Sequence, residues 1–463
     1  MDKPLRDAPE LCKLGAIELR QAYSSGSLSP VEVIDATLTR AEQINPQFNA
    51  FTFIDKTGAR QAARESEKRW QAGEPLSPAD GIPTTLKDIV WVNGWSVRYG
   101  STTTPATPFD KDAPSVARLR AAGAVFIGQT TTPELGWKAV TDSRLTGITR
   151  NPWHAEKTPG GSSGGAAVAA ATGAGVFHLG TDGGGSIRIP AAFTGIAGLK
   201  PSFGRVPAYP ASAFGTVAHI GPMARSAADL LLMLRCMSGR DLMDWYQPAV
   251  ELPALDSVEN TLQGARIGYW STPPFGATAA NVKQVIDKAL RRIEANDVSI
   301  EPIELPGKNL LELFQRHWFA GAAARFSIIP EAKWCNIDPG FLDIARIGQR
   351  YSAVDLQTAH SQRAEFGVQM DCLLDEFDFI VSPAAALTAF DAGLEVPTDS
   401  GLERWTQWAG FSYPINLSQH PACVIPCALS DDLLPVGLQI IGARGHDARV
   451  LSAAIDLQAT LSA

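Results

Sequence analysis

The sequence predicts a single large α/β domain with a mixed, mostly parallel central β-sheet that helices cover on both faces. After residue 75, short apolar runs alternate with segments of helical periodicity, a pattern typical of such a sheet. Of the 463 residues, 45% are hydrophobic and 19% are charged, which excludes intrinsic disorder and predicts a large buried core. No internal repeat or low-complexity linker divides the chain, so one domain is favoured over the three that length alone allows.

Residues 1–75 form the first predicted segment, which is helical. Ser29, Pro30 and Glu32 match a capping box with proline at the first helical position, and apolar residues follow at helical intervals as far as Ala41. A second, polar helix is predicted over residues 56–72. This segment is expected to precede the part of the chain that carries the chemistry.

Residues 76–225 form the second predicted segment, in which short strands and helices alternate. We predict a strand ending near Lys87, a helix over residues 112–122, a strand over 124–128, a helix over 165–172 and a strand over 176–180. Residues 164–180 are the least polar stretch, but they are mostly Ala and Gly with Thr172 and His178 among them. A membrane span needs about 20 strongly apolar residues, so a buried helix followed by a strand is predicted here.

The remaining chain divides into two further predicted segments. Residues 238–375 form a variable, mainly helical region with helices over 282–296 and 309–326, to which the sequence assigns no function. Residues 376–463 return to the same sheet, with strands over 377–381, 422–425 and 437–441 and a closing helix over 447–461.

Charge and cysteine content exclude several classes of protein. The chain has 48 acidic and 40 basic side chains and a formal net charge of −8, whereas nucleic-acid binders usually carry a basic patch. The first ten residues lack the apolar run of a secretory signal, and the six scattered cysteines are typical of reduced thiols. We therefore expect a cytoplasmic protein with no nucleic-acid or membrane partner.

One cluster of possible metal ligands consists of His420, Cys423 and Cys427. Its spacing matches no familiar zinc pattern, and the surrounding residues are typical of a buried strand. A core role is therefore favoured over metal binding, and we expect no metal and no cofactor.

Two serine-bearing glycine segments stand out, residues 158–165 (TPGGSSGG) and 180–190 (GTDGGGSIRIP). A lone segment of this kind is usually a turn, but here two of them flank one helix and strand. Three successive glycines allow neighbouring backbone N–H groups to converge on one point, as in an oxyanion hole. The sequence therefore predicts Ser186 as a nucleophile, with the N–H groups of Gly183, Gly184, Gly185 and Ser186 as the hole.

A serine nucleophile needs a base. The first glycine segment offers Ser162, and residues 81–88 offer Lys87 at the end of an otherwise uncharged, strand-like run. A lysine can act as a base near neutral pH only if burial or neighbouring charges lower its pKa from about 10.4.

These segments together resemble the amidase signature family. The resemblance spans nearly the whole chain and rests on residues 81–83 (GIP), 86–88 (LKD), 151–153 (NPW), 160–165 (GGSSGG), 180–190 (GTDGGGSIRIP), 198–201 (GLKP), 221–223 (GPM), 414–416 (PIN) and 434–442 (LPVGLQIIG). The order and spacing of Lys87, Ser162 and Ser186 are also similar to those of the family.

The resemblance implies a Ser-cisSer-Lys triad. Ser186 would be the nucleophile, Ser162 would relay its proton from a cis peptide bond with Gly161, and Lys87 would be the base. The supporting residues are expected to be Gly161 and Ser163 in the first segment and Asp182 and Arg188, which hold the nucleophile segment by hydrogen bonds or an ion pair.

The substrate pocket is less clearly indicated. Gly183 stands where many relatives have a larger residue, which would loosen the segment or widen the site. The walls of the pocket are expected from the 130s, the 210s and the region after residue 300. The chain has several tryptophans that would form either an apolar acyl or aryl pocket or, by default, part of the core: Trp91, Trp95, Trp137, Trp405 and Trp408.

The function that the resemblance implies is a stand-alone amidohydrolase acting on a small-molecule amide, or on a related ester, anilide or carbamate, with a homodimer left open. Two alternatives remain. One is the glutaminase-like subunit of a tRNA-dependent amidotransferase. The other is an α/β-hydrolase-type esterase in which Ser162 is the nucleophile, with His420 or His446 as its base. A phosphate-binding module is disfavoured because neither glycine segment is followed by the Lys-Ser/Thr of a P-loop.

Overall fold

The computed structural model describes residues 3–256 and 261–462 of the chain. The helices are α1 (Glu10–Lys13), α2 (Ala16–Ser25), α3 (Pro30–Phe48), α4 (Lys56–Ala72), α5 (Pro114–Ala121), α6 (Gly164–Thr172), α7 (Arg188–Thr194), α8 (Ala227–Met237), α9 (Ala280–Glu294), α10 (Leu310–Phe326), α11 (Pro339–Gly348), α12 (Ala353–Glu376), α13 (Tyr413–Ser418) and α14 (Asp447–Ser462). The strands are β1 (Phe51–Ile54), β2 (Pro83–Lys87), β3 (Val125–Thr130), β4 (Asp142–Ser143), β5 (Gly147–Ile148), β6 (Phe177–Asp182), β7 (Ala197–Lys200), β8 (His219–Ala224), β9 (Arg266–Trp270), β10 (Ser299–Ile303), β11 (Phe379–Pro383), β12 (Ala422–Leu429) and β13 (Pro435–Ile441).

The main sheet has 11 strands in the order β1-β3-β2-β6-β8-β7-β12-β13-β11-β9-β10, and β4 pairs with β5 in a separate ribbon. Parallel pairing occurs in two groups, β3-β2-β6 and β11-β9-β10. Antiparallel pairs join these groups through β8, β7, β12 and β13. The mixed α/β sheet predicted from the sequence is confirmed, with its parallel pairing in these two groups.

Helices cover both faces of the sheet. Successive side chains of a strand point to opposite faces, and in β11 the residues Phe379 and Val381 belong to one large apolar cluster whereas Ile380 belongs to another. The first cluster includes residues of α8, α9 and α14, and the second includes residues of α7, α10 and α12. Each face of the sheet therefore has its own apolar core.

The N-terminal helices form as the sequence predicts. The Ser29 hydroxyl accepts the Val31 N–H, and Glu32 completes the capping box at the start of α3, while α4 has the predicted bounds. The first 75 residues also contain β1, which the sequence analysis missed and which pairs antiparallel with β3 at one edge of the sheet.

The alanine-rich stretch forms α6, all nine residues of which are buried, and continues into β6. The predicted buried helix followed by a strand is therefore confirmed. Within residues 3–256 and 261–462, no helix combines the length and apolar character that crossing a membrane requires.

The topology brings the predicted site residues to one edge of the sheet. Strands β2 and β6 are parallel neighbours, with Leu86 opposite Leu179, so their carboxyl ends lie side by side. Lys87 ends β2 and Asp182 ends β6. Crevices at the carboxyl ends of strands are the usual ligand sites of open α/β sheets.

Candidate active site

Lys87 lies fully buried at the end of β2. Its ammonium group donates hydrogen bonds to three hydroxyl oxygens, those of Ser162 at 2.7 Å, Ser163 at 2.9 Å and Thr181 at 2.8 Å. The ammonium form of a lysine has three donors, one for each of these hydroxyl groups. Each of the three partners is an uncharged hydroxyl group.

Burial lowers the pKa of Lys87 well below its ordinary value, and the negative charge of Asp182 offsets this effect only in part. Desolvation disfavours the ammonium form because a buried charge loses its hydration. Asp182 is itself paired with Arg188. The environment therefore favours a neutral amine that can accept a proton from a neighbouring hydroxyl.

Ser162 lies in the loop before α6, and its peptide bond with Gly161 is cis, as the family resemblance implies. A Cβ atom at Gly161 would lie 2.5 Å from the Val140 carbonyl oxygen, so the loop has room only for glycine here. Thr141 supports the same loop. Its hydroxyl donates to the Gly160 carbonyl at 2.8 Å and accepts the Gly164 N–H at 3.1 Å.

Ser186 precedes α7 and lines the same cavity as Ser162. The Ser186 carbonyl accepts the Ser163 N–H at 3.1 Å, which links the two glycine segments through their backbones. The fold therefore brings together the three predicted residues. Lys87 is hydrogen-bonded to Ser162, and Ser162 and Ser186 both line one cavity.

Asp182 and Arg188 hold the segment that carries Ser186. They form a fully buried ion pair through Nε and Oδ2 at 2.9 Å and Nη2 and Oδ1 at 3.0 Å. Burial alone would raise the pKa of Asp182, but the charge of Arg188 and hydrogen bonds from Arg188 and Asn416 hold it below its ordinary value. The predicted ion pair is confirmed.

Two residues far along the chain complete this network. Arg188 donates to the Asn416 side-chain oxygen at 2.6 Å and to that of Gln439 at 2.8 Å. The Asn416 amide in turn donates to Asp182 Oδ1 at 2.9 Å. The nucleophile segment is thus anchored to α13 and β13.

The backbone N–H groups before Ser186 do not all face a substrate. Asp182 Oδ1 accepts the Gly185 N–H at 2.8 Å, and Asp182 Oδ2 accepts the Ile187 N–H at 3.2 Å. The prediction that Gly185 contributes to an oxyanion hole is therefore corrected, because its N–H group is bonded to the supporting carboxylate. Gly183, Gly184 and Ser186 remain as candidate donors.

Aromatic rings pack directly on the glycine backbone. A Cβ atom at Gly183 would lie 2.7 Å from the Trp318 ring, and one at Gly184 would lie 2.7 Å from the Phe314 ring and 2.8 Å from the Trp405 ring. The expectation that Gly183 loosens the segment or widens the site is wrong, because Trp318 occupies the space that a side chain would take.

The cavity has a volume of about 390 Å³. Its walls come from residues 135–136, 203–220 and 318–328 among others, which confirms the segments expected from the sequence. The lining is mostly apolar and aromatic, with Phe203, Tyr209, Phe214 and Trp318 as large members. Ile328, which is 68% exposed, marks an opening to solvent.

Of the five tryptophans named from the sequence, Trp137, Trp405 and Trp408 have the default core role, whereas Trp91 and Trp95 are only partly buried against the core. Trp137 and Trp405 are buried beside the site, where the Trp137 carbonyl accepts the Trp318 indole N–H at 3.0 Å. The tryptophan that lines the described part of the cavity is Trp318. Nothing in its local sequence distinguished it from other apolar residues of a helix.

Thr181 was also missed, although a signal was present. Successive side chains of a strand point to opposite faces of the sheet, so the hydroxyl next to Asp182 on β6 lies on the face opposite the ion pair, where it accepts a hydrogen bond from Lys87. Asn416 and Gln439 lay within the motifs 414–416 and 434–442, but no local pattern showed what they contact.

Comparison with known proteins bears on this arrangement. The family profile described as Amidase matches residues 32–451, which is most of the chain. The chain belongs to the amidase signature family. It is a hydrolase that acts on amide C–N bonds.

Two relatives show the range of this family. The chain is 32% identical to an acylamidase from Rhodococcus erythropolis over 96% of this chain and 95% of that protein. It is also 32% identical, with the same coverage, to one of the subunits of the glutamyl-tRNA(Gln) amidotransferase from Chloroflexus aggregans (strain MD-66 / DSM 9485).

Solved structures of family members have the same fold. A bacterial aryl acylamidase of the amidase signature family superposes with a TM-score of 0.88 at 27% identity and covers 96% of both chains. A 6-aminohexanoate cyclic dimer hydrolase superposes with a TM-score of 0.87 at 26% identity and covers 98% of both chains.

Family membership and geometry both oppose the α/β-hydrolase alternative. The Ser162 hydroxyl is hydrogen-bonded to Lys87, and neither His420 nor His446 is among the described residues that line the cavity of Ser162. Cys423 and Cys427 belong to β12, as the strand prediction expects.

Proposed function

We propose that the chain is a stand-alone amidohydrolase that cleaves a carboxamide C–N bond through an acyl-enzyme on Ser186. The observation that carries this proposal is the hydrogen bond between Lys87 and Ser162, since it joins a buried amine of lowered pKa to a hydroxyl beside Ser186. Names of relatives, acylamidase and aryl acylamidase, support an acyl or aryl amide as the substrate.

In the first half-reaction, Lys87 accepts the proton of Ser162 while Ser162 accepts that of Ser186. The Ser186 oxygen bonds to the carbonyl carbon, and the electron pair of the C=O π bond moves onto the oxygen. The proton then returns from Lys87 through Ser162 to the leaving nitrogen, the C–N bond breaks, and the amine departs.

In the second half-reaction, water replaces the amine. Ser162 takes a proton from the water and gives its own to Lys87, while the water oxygen bonds to the acyl carbon. The oxyanion then re-forms the C=O bond and the ester C–O bond breaks, as Ser186 takes a proton from Ser162 and Ser162 takes one from Lys87. The products are a carboxylic acid and an amine, and the enzyme regains its starting protonation state.

The negative oxygen of each tetrahedral intermediate needs hydrogen-bond donors. We propose the N–H groups of Gly183, Gly184 and Ser186 for this role. Removing one such donor typically costs about 10²–10³-fold in kcat in enzymes of this kind. The Asp182–Arg188 pair fixes the conformation of these donors, because Asp182 accepts the intervening Gly185 N–H.

A fluorophosphonate probe tests the nucleophile. Ser186 is expected to displace fluoride and carry the phosphonyl group, which mass spectrometry of the digested protein locates. The Lys87→Ala variant should react about 10²–10⁴-fold more slowly because the base is lost, while Ser186→Ala should not react. Modification of Ser162 or Ser163 with Ser186 unmodified would overturn the assignment.

A role as an amidotransferase subunit remains a second candidate function, because that relative matches the chain as well as the acylamidase does. Such a protein would depend on partner chains and tRNA. Hydrolysis of simple amides by the isolated chain supports the stand-alone enzyme. Glutamine hydrolysis that appears only with a second polypeptide and tRNA would support the amidotransferase instead.

A further inference from the structure

A cation, Arg325, lines the cavity beside Ser186 at the C-terminal end of α10. Trp318 and Arg325 both line the cavity, and Arg325 follows Trp318 by two helical turns on the same face of the helix. Two turns correspond to roughly 10 Å along the helix axis. Because Trp318 contacts Gly183, Arg325 lies at the end of the cavity away from the nucleophile segment.

The guanidinium of Arg325 has spare hydrogen-bonding capacity. It lies over the Tyr99 ring, 5.0 Å from the ring centroid, and Tyr99 also lines the cavity. Within residues 3–256 and 261–462, no carboxylate or carbonyl oxygen accepts a hydrogen bond from it. Stacking on an aromatic ring fixes the plane of a guanidinium while leaving its N–H edge free for a ligand.

The other charged groups near the cavity differ from Arg325. Asp244 also lines the cavity, but its two oxygens accept the N–H groups of Ala208 and Tyr246, each at 2.9 Å. Asp182 is paired with Arg188. A second cation, Lys111, lies 4.9 Å from the ring centroid of Tyr209, another lining residue. Among the charged side chains of the described lining residues, Arg325 is therefore the one with hydrogen-bond donors left for an anionic ligand.

We propose that the substrate is an amide with an apolar body and a carboxylate at its far end, and that Arg325 binds this carboxylate. This inference rests on the proposed function, since the scissile carbonyl must lie at Ser186. The apolar body would pack on Trp318 and Phe214, whose rings stack with centroids 3.8 Å apart. A carboxylate fits the planar N–H edge of an arginine through two parallel hydrogen bonds.

Three anilides test the inference and also locate the carboxylate. Octananilide is the neutral reference, suberic acid monoanilide carries a carboxylate on the acyl end, and para-octanamidobenzoate carries one on the amine part. The variants are Arg325→Gln, Arg325→Lys and the control Arg346→Gln, which removes an exposed arginine of α11 outside the cavity.

The wild-type enzyme should have a higher kcat/KM for one of the two carboxylate-bearing anilides than for octananilide. Arg325→Gln should lower kcat/KM for that carboxylate about tenfold, mainly through KM, and change octananilide less than about twofold. Arg325→Lys should retain part of the preference and Arg346→Gln all of it. Added salt should weaken the preference because the ion pair is partly exposed.

Arg325 also lies in the last turn of α10, where a cation is favoured by the helix dipole. If that structural role were its only one, Arg325→Gln would change kcat/KM equally for all three anilides. That result, or an unaltered preference for the carboxylate, would overturn the inference.

Binding separates this inference from the proposed function. In Ser186→Ala, suberic acid monoanilide and para-octanamidobenzoate are titrated by calorimetry, with and without Arg325→Gln. About tenfold weaker binding of the preferred carboxylate in the double variant supports Arg325 as its partner, and equal binding overturns it. Full hydrolysis by Ser186→Ala would instead refute the proposed function and leave the binding result to decide the inference.

Discussion

Three hydroxyl groups surround the amine of Lys87, and they have different consequences for its protonation. Ser162 would exchange protons with the amine during the proposed reaction, whereas Thr181 and Ser163 only accept hydrogen bonds from it in the structure. A hydrogen bond to the charged form of a group favours that form. Thr181 therefore partly opposes the effect of burial, which lowers the pKa of Lys87.

Removing the Thr181 hydroxyl is expected to shift the pH profile. In the proposed reaction Lys87 must be neutral, so kcat/KM falls as the pH drops through its pKa. Thr181→Val keeps the shape of the side chain but removes an acceptor of the ammonium form. The pKa should fall further, and the acid limb of kcat/KM should move to lower pH by about one unit.

The matched control is Thr84→Val on β2. The Thr84 hydroxyl is buried and donates to the Ile82 carbonyl at 3.0 Å, so this change should leave the acid limb in place. Ser163→Ala should shift the limb in the same direction as Thr181→Val. A shift to higher pH in Thr181→Val would contradict the proposed role of Lys87.

The sequence alone located the residues whose chemistry depends on a local pattern. Ser162, Ser186 and their glycines lie in short segments that any reader can recognise, and Lys87 ends an uncharged run. Asn416 could not be found in this way, because its contact with Arg188 joins residues 228 positions apart. Arg325 gave no local signal either, since an arginine in the last turn of a helix is ordinary.

At the scale of elements, α6 depends on close approach to the sheet. A Cβ atom at Gly165 would lie 2.5 Å from the Ala50 carbonyl oxygen and 2.5 Å from the Thr131 backbone nitrogen. These are backbone atoms, so they cannot rotate away as a side chain would. The helix that follows Ser162 is therefore seated against β3 by the absence of a side chain.

We expect Gly165→Ala to lower the free energy of unfolding by about 1–3 kcal/mol, because overpacking forces the helix away from the sheet. Chemical denaturation measures this change. Gly367→Ala is the control, since Gly367 lies inside α12 with nothing within 4 Å of an added Cβ atom. It should stabilise the protein by about 0.5–1 kcal/mol through helix propensity. An unchanged stability in Gly165→Ala would show that the helix can shift freely.

Helices α4, α9, α10 and α14 and strands β11, β12 and β13 lie close to their predicted positions, but α12, β7 and β8 were not individually predicted. The strands β9 and β10 were missed within a region predicted as mainly helical. Both are short, β9 contains Gly268, and β10 contains Pro302, which are residues that weaken a strand pattern. Pro302 is tolerated because β10 is the edge strand of the sheet, a position that only the assembled fold shows.

At the scale of the whole molecule, one sheet joins the early and late parts of the chain. Gly198, Leu199 and Lys200 of β7 pair with β12 residues Val424, Cys423 and Ala422. One apolar cluster also contains residues of all four sequence segments (1–75, 76–225, 238–375 and 376–463), among them Leu19, Ile82, Val282 and Phe379. We propose that they unfold as one unit.

Differential scanning calorimetry tests this proposal. A single transition is expected, with the calorimetric enthalpy equal to the van't Hoff enthalpy. Scans at several heating rates control for irreversible loss of protein. Two separate transitions, or a van't Hoff enthalpy well above or below the calorimetric value, would show that the segments do not unfold as one unit.

The hydrogen bond between Arg188 and Gln439 affects when the chain can become active during its synthesis. These residues are 251 positions apart, and translation at about 5–20 residues per second needs roughly ten to fifty seconds to cover that distance. During this interval the nascent chain holds the serines, the lysine and the Asp182–Arg188 ion pair, but it lacks Gln439, which anchors Arg188 to β13. Hydrolytic activity would therefore begin only after β13 has been synthesised, so an incomplete chain would not hydrolyse amides.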